Sequence, residues 1–200
     1  MIRAFLNLPN RLIAWVEPAS VPVLTTLARL VFAAVLLMYF WNSGLTKLPE
    51  GMKTFLDGGD IGLVDALKSL LSPTFNAFGQ IFPKGAEAAS YDITQATQFQ
   101  KIVIVAGTLA EFILPALVVI GLWTRAAALG MVVFVVVQSL TDIYGHGGEP
   151  GAWFDKASDA LILDQRAFWV FLLLYLVFRG GGPISLDRFL APYEPVYEDY

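Results

Sequence analysis

IVIVAGTLAEFILPALVVIGLWTRAAALGMVVFVVVQSL, residues 102–140, decides the fold. The first apolar run ends at Trp123, Thr124 and Arg125 interrupt it, and a second begins at Ala126. A hydrocarbon core about 30 Å thick takes about 20 helical residues. An interruption this short is room for a tight turn only, so the stretch reads as a helical hairpin inside a membrane. The second run is the shorter and is expected to continue to about Tyr144. Pro115 removes one backbone hydrogen bond from the first, a loss that neighbouring helices accommodate at membrane depth.

Two further spans flank the hairpin. VLTTLARLVFAAVLLMYFWN, 23–42, follows Pro22, a residue suited to a first helical turn. LILDQRAFWVFLLLYLVF, within 161–178, stops at Arg179 and the glycine run 180–182. Composition agrees: 56% of the 200 residues are hydrophobic, mean hydropathy is +0.63, and only 15% are charged, where a soluble domain has about 25%. The expected fold is an all-α integral membrane protein, a four-transmembrane-helix antiparallel bundle with spans near 23–42, 102–123, 126–144 and 161–178. One domain covers 1–190, and APYEPVYEDY, 191–200, reads as a flexible acidic tail. The first span is too long for a cleaved signal, contains Arg29, and lacks a following Ala-x-Ala site.

The same arithmetic excludes functions. With no cysteine there are no disulfides, thiolate metal sites or iron–sulfur clusters, and the single histidine, His146, rules out a bis-histidine haem. A net charge of −4 gives no reason to expect nucleic acid. Neither a G-x-S-x-G elbow nor a phosphate-binding glycine loop is present. His146 with Asp142 and Glu149 is a thin metal set, and a solvated loop histidine is the better reading, so no metal is expected.

Arginines collect at one end: Arg3 and Arg11, Arg125, and Arg179 with Arg188. The positive-inside rule then puts both termini in the cytoplasm. Most acids fall in two longer loops on the other side. In the first of these, Leu63, Val64, Leu67, Leu70 and Leu71 share a helical face, and Phe75, Phe78 and Phe82 follow at near-helical spacing. Short interfacial helices over the mouth of the bundle are expected there; a lid or re-entrant hairpin is the sharper alternative.

Ionisable groups at membrane depth cost about 2.5–3.5 kcal/mol at a helix centre on insertion scales. Glu111 lies near the middle of the second span, one turn from Thr108 and one before Pro115. Arg29, in the first span, is its expected ion-pair partner. Either the pair locks two helices, or Glu111 handles a proton and Arg29 tunes it; Arg29 alone also has the length to snorkel to the surface. Toward the outer end, Asn42, Ser43 and Lys47 close the first span, Gln138, Asp142 and Tyr144 the third, and Asp164, Gln165 and Arg166 open the fourth. Converging on one layer, they would hold the polar head of an amphipathic molecule, or form an ordinary wet interface. Small residues at 106–110 and 126–130 permit close helix contact, within one bundle or between protomers of a homo-oligomer.

Arg29, NSGLTKL at 42–48, AEFILPALVVIGLWTRAAALG at 110–130 and GGGPISLDRFL at 180–190 occur in this order, and together they resemble the DoxX family of bacterial membrane proteins. The likeness runs from about residue 24 to 190. It implies a four-helix bundle in the bacterial inner membrane and a link to quinone-dependent redox chemistry, because relatives are described as small subunits of quinol-oxidising or thiosulfate:quinone oxidoreductase systems. The positions that match are Arg29, Gly44, Lys47, Glu111, Pro115, Gly121 and Arg125. The long loop between the first two spans departs from the family pattern.

Three functions follow as expectations. The first is a redox-associated subunit binding a quinone or similar lipid-soluble molecule, with Glu111 handling the proton and Arg29, Asn42, Lys47, Thr108, Gln138, Asp142, Asp164 and Arg166 around the ligand. The chain holds no electron-transfer centre of its own, so electrons would pass between bound small molecules or come from a redox-enzyme partner. The second is a non-catalytic membrane scaffold or assembly partner. The third, a small transporter, lacks inverted repeats.

Overall fold

The computed structural model describes residues 8–190. Arg3, the Arg11 side chain and the tail at 191–200, on which part of the charge argument and the flexible-tail expectation rest, lie outside the described residues. Every regular element among those described is helical. Four helices are long and apolar enough to cross a membrane: Glu17–Leu45, Gln98–Ile120, Thr124–Gly145 and Leu161–Arg179. They are called here spans one to four.

Each span exceeds its apolar run, for a local reason. Helix around span one begins at Leu8, so Pro18 and Pro22 lie inside it and Pro22 does not open it. Residues 8–21 are too mixed in polarity to extend an apolar run, but they are helical all the same. Span two gains its first turn from a reciprocal cap, in which the Thr97 hydroxyl accepts from the Gln100 amide while the Gln100 side chain accepts from the Thr97 amide. It ends at Gly121, whose left-handed backbone (φ 72°) closes the helix. Span three reaches Gly145 through a π-helical turn, Thr141–Gly145, and span four starts with another, Leu161–Arg166. Span one carries a third at Ala33–Leu37.

Consecutive spans are neighbours and span four closes against span one, giving a four-helix bundle. Its directions alternate: Arg29 in the first half of one, Val118 near the end of two, Thr124 opening three and Gly181 just after four meet toward one end of the bundle. Phe32, Leu36 and Phe40 pack on Val118, on Met131 and Val135, and on Leu173 and Leu176. Tyr39 meets Phe40 and Trp169 edge-on, with ring centres 5.1 and 5.2 Å apart. In a bilayer such packing holds helices together by dispersion and fit, since lipid tails are as apolar as leucine. Gly44 brings spans one and two close: a Cβ there would lie 2.6 Å from the Phe112 ring and 3.3 Å from the Glu111 Cβ.

The loop between spans one and two forms short helices, Glu50–Leu56, Leu63–Ser69, Phe75–Ile81 and Pro83–Ala88. Ala77, Phe78 and Ala86 pack on Ile104 of span two, and Leu48, Met52 and Ala66 pack beside Phe112. These helices lie over the end of the bundle opposite Arg29, as interfacial helices would. The leucine face picked out by spacing points outward, however: Leu63, Val64, Leu67 and Leu71 are exposed and the buried residue is Ala66. That outward apolar face suits contact with lipid.

At the other end, Asp187 serves as a cap supplied from elsewhere in the chain. Its carboxylate accepts from the Trp123 and Thr124 amides at 2.6 and 2.9 Å and from the Thr124 hydroxyl at 2.7 Å, while its own amide donates to the Gly121 carbonyl. The tight turn between spans two and three is thereby tied to the segment after span four. Asp187→Ala is expected to cost about 1–2 kcal/mol, the value of a good helix cap. Equilibrium unfolding in mixed detergent micelles measures it, and an unchanged midpoint would show that water replaces the carboxylate.

Candidate functional site

Glu111 is buried, and its partner is Lys47. The Lys47 Nζ lies 3.0 Å from both carboxylate oxygens, and it also donates to the Ser43 hydroxyl and carbonyl at 2.8 and 3.1 Å. The Ser43 hydroxyl donates to Glu111 Oε1 at 3.2 Å. Both charged side chains are almost completely removed from the surface, at 6% and 4% exposure. Ser43 and Lys47 stand one helical turn apart, so both face span two at the level where Pro115, having no N–H, leaves the Glu111 carbonyl without its usual i+4 donor.

The expected Arg29–Glu111 ion pair is therefore not formed. Arg29 sits at the opposite end, buried, with Nε donating to the Val118 carbonyl and Nη1 to that of Gly181, each at 3.0 Å, and with further bonds to the Val119 and Ile184 carbonyls. It ties the end of span two to the segment after span four. Gly121 makes room for it, since a Cβ there would lie 2.7 Å from the guanidinium carbon.

A second, half-buried ion pair joins spans three and four. Arg166 Nη2 contacts Asp142 Oδ2 at 2.6 Å, and Nη1 donates to the Ser139 hydroxyl at 3.2 Å. Gln138 donates from its amide to the Tyr39 hydroxyl at 3.1 Å, which leaves its Oε1 buried and without a partner; Arg166 Nε is likewise unpartnered.

Between these pairs lies a cavity of about 430 Å³, within the range typical of small-molecule sites. Lys47, Glu111, Gln138 and Asp142 are on its wall, and Gln80 and His146 stand at the end capped by the loop helices. His146 Nε2 is 3.0 Å from the Gln80 carbonyl, which ties the turn after span three to that cap. Spans two and three supply the apolar wall, including Leu114 and Phe134. Ala106, Val133 and Val137 line the cavity while being exposed, so it opens sideways between spans two and three. The small residues at 106–110 thus create space, whereas Gly130 is the close contact, with its Cβ position 3.2 Å from Leu114.

Of the residues expected around a ligand, Lys47, Glu111, Gln138 and Asp142 come together. Arg166 braces Asp142 from behind. Asn42 is exposed and off the cavity. Asp164 caps its own helix, accepting from the Ala160 amide at 3.0 Å. Thr108 is buried with its hydroxyl turned to the Ile104 carbonyl. Sequence reasoning passed over Gln80 and treated His146 as loop only; its position four residues after Asp142 was the one signal available. Among the described residues, no group of three or more histidine or acidic side chains is gathered as for a metal ion.

The fold and site together define a class: a four-helix bundle of membrane-spanning character with a largely apolar internal cavity that carries a few polar groups and opens laterally. Neither a family model, a curated protein nor a solved structure matches the chain.

Proposed function

We propose that the chain is a DoxX-like subunit of a bacterial inner membrane, with both termini cytoplasmic, that binds the head of a quinone-type lipid-soluble molecule. The observation that carries this reading is a buried acceptor, Gln138 Oε1, left unpaired on the wall of a cavity that also exposes the Lys47–Glu111 pair. A side opening between spans two and three suits a ligand arriving from the hydrocarbon. Lys47 has three N–H bonds, and Ser43 and Glu111 already engage them. The unpartnered atom on the wall is an acceptor, Gln138 Oε1, and the carboxylates beside it accept as well, so a hydroxyl-bearing reduced head is the better fit. Glu111 is the proposed group for taking up a proton. With no cysteine in the chain, electrons go to or come from a partner.

The test is binding of decyl-substituted benzoquinol and benzoquinone to the purified protein, read by native mass spectrometry and calorimetry. Benzoquinol is expected to bind at one per chain and more tightly than benzoquinone. Gln138→Met should weaken it about tenfold, in line with one lost buried hydrogen bond, while the lost bond to the Tyr39 hydroxyl costs the fold no more than about 1 kcal/mol. Equal binding by the variant, or none by the parent, removes this reading.

A second reading has its own support. The Lys47–Glu111–Ser43 cluster is satisfied internally, which is what a purely structural lock between spans one and two requires. A scaffold of this kind would retain a protein partner in native preparations of both parent and Glu111→Gln, with no bound small molecule in either.

A further inference from the structure

The cavity between spans two and three has an unused acceptor at its outer end. His146 Nε2 lies 3.0 Å from the Gln80 carbonyl. A carbonyl oxygen only accepts, so Nε2 carries the hydrogen, and in the neutral ring Nδ1 keeps its lone pair. Among the described residues, no group donates to Nδ1. His146 lines the cavity and is also exposed, so this end reaches water.

The ring is held in place by its surroundings. The Gln80 side chain donates to the Thr46 hydroxyl at 3.0 Å, which ties the loop helix Phe75–Ile81 to the end of span one. Gly145, just before His146, fits against Pro83: a Cβ there would lie 2.6 Å from Pro83 Cγ. The bond made by one ring nitrogen sets the role of the other, so the Gln80 carbonyl makes Nδ1 an acceptor.

Two acceptors without donors therefore belong to residues of one cavity wall, Gln138 Oε1 and His146 Nδ1. Positions 138 and 146 are separated by about 12 Å along span three and its terminal turn, at 1.5 Å per residue. A ring with hydroxyls at opposite ends, plus a hydrogen bond of about 2.8 Å at each, spans a comparable length. A single hydroxyl does not. Asp142 lies one turn nearer to Gln138, and its Oδ2 is already held by Arg166.

We propose that His146 Nδ1 is the second anchor for the head, so that the cavity selects a para-dihydroxy ring lying between Gln138 Oε1 and His146 Nδ1, with its alkyl tail leaving between spans two and three. The inference rests on the reading of the cavity as a quinol site and narrows it. A phenol with one hydroxyl leaves one acceptor without its donor, and a quinone leaves both. A site built to hydrogen-bond a hydroxyl discriminates against the analogue that lacks it. Water reaches the outer acceptor, so discrimination is weaker there than at Gln138.

The test measures binding of decyl-benzoquinol, ortho-decylphenol and meta-decylphenol, each phenol lacking one of the quinol's hydroxyls, by calorimetry on the full chain in mild detergent. The parent should bind both phenols more weakly than the quinol, by about tenfold for the hydroxyl that meets Gln138 and about threefold for the one that meets His146. His146→Leu should abolish the smaller penalty and leave the larger; Gln138→Met should do the reverse. His146→Gln, which keeps a donor for the Gln80 carbonyl and an acceptor beside it, should retain the smaller penalty. Equal binding of the quinol and one phenol by the parent overturns the proposal and leaves the quinol reading standing, since one anchor then suffices. Equal weakening of all three ligands in His146→Leu also overturns it, by showing that the histidine only holds the cap. Absence of binding by the parent for all three removes the quinol reading and this inference together.

Discussion

Lys47→Met is expected to destabilise the bundle by about 3–5 kcal/mol, the usual cost of leaving one member of a buried ion pair uncompensated. The reason is the surroundings of Glu111. Its two oxygens receive Lys47 Nζ and the Ser43 hydroxyl, and Phe112 and Gly44 pack beside it. With Lys47 gone, the single hydroxyl of Ser43 is left to solvate a buried carboxylate. The double variant Lys47→Met/Glu111→Leu should recover to within about 1 kcal/mol of the parent, because a buried pair replaced by apolar side chains of similar volume is often neutral or better. Equilibrium unfolding in mixed micelles gives all corners of the cycle. A single variant costing under about 1 kcal/mol would mean that water in the cavity takes over the lysine's role.

Arg29→Met should cost at least about 2 kcal/mol, since two of the four carbonyls it strands are in buried hydrogen bonds and an unsatisfied buried acceptor costs about 1–3 kcal/mol. Those carbonyls belong to Val118, Val119, Gly181 and Ile184, and only a fork with separated N–H groups reaches them together. Arg29→Lys is accordingly a poor rescue and should recover less than half the loss. Limited proteolysis provides an independent reading, with cleavage near 180–184 appearing in both variants before the spans melt. Full rescue by lysine would show that charge alone, without the fork geometry, holds this end.

The spans were legible because length and apolarity are properties of a run. The site was legible only in part, because a run shows depth but not facing. Glu111 stood out as a mid-span acid, yet the wrong cation was assigned to it. Arg29 and Lys47 lie about 27 Å apart along span one at 1.5 Å per residue, and Glu111 is level with the Lys47 end. The π-turn at Ala33–Leu37 adds to the difficulty, since an inserted residue rotates everything after it and breaks a single helical period. The turns at Thr141–Gly145 and Leu161–Arg166 do the same for the outer polar layer. Asp142 and Arg166 come to face each other, while Asp164 is left to its own helix end. The glycines at 180–182 read as a helix stop, which they are. Their other task shows only in three dimensions: a Cβ at Gly182 would lie 2.2 Å from the Thr25 hydroxyl, and one at Gly181 would lie 2.6 Å from that of Thr124.

The reach of Arg29 also sets an order of manufacture. Two of the carbonyls it needs, Gly181 and Ile184, are made more than 150 residues after it. While the ribosome is still extending the chain, the first span stands in the bilayer with a cation whose final ligands do not yet exist. Until residues 181 and 184 are made, that guanidinium must find its partners in water or lipid headgroups at the membrane surface, which its length allows. The Arg29 end of the bundle therefore closes late, only after the segment following span four has been made.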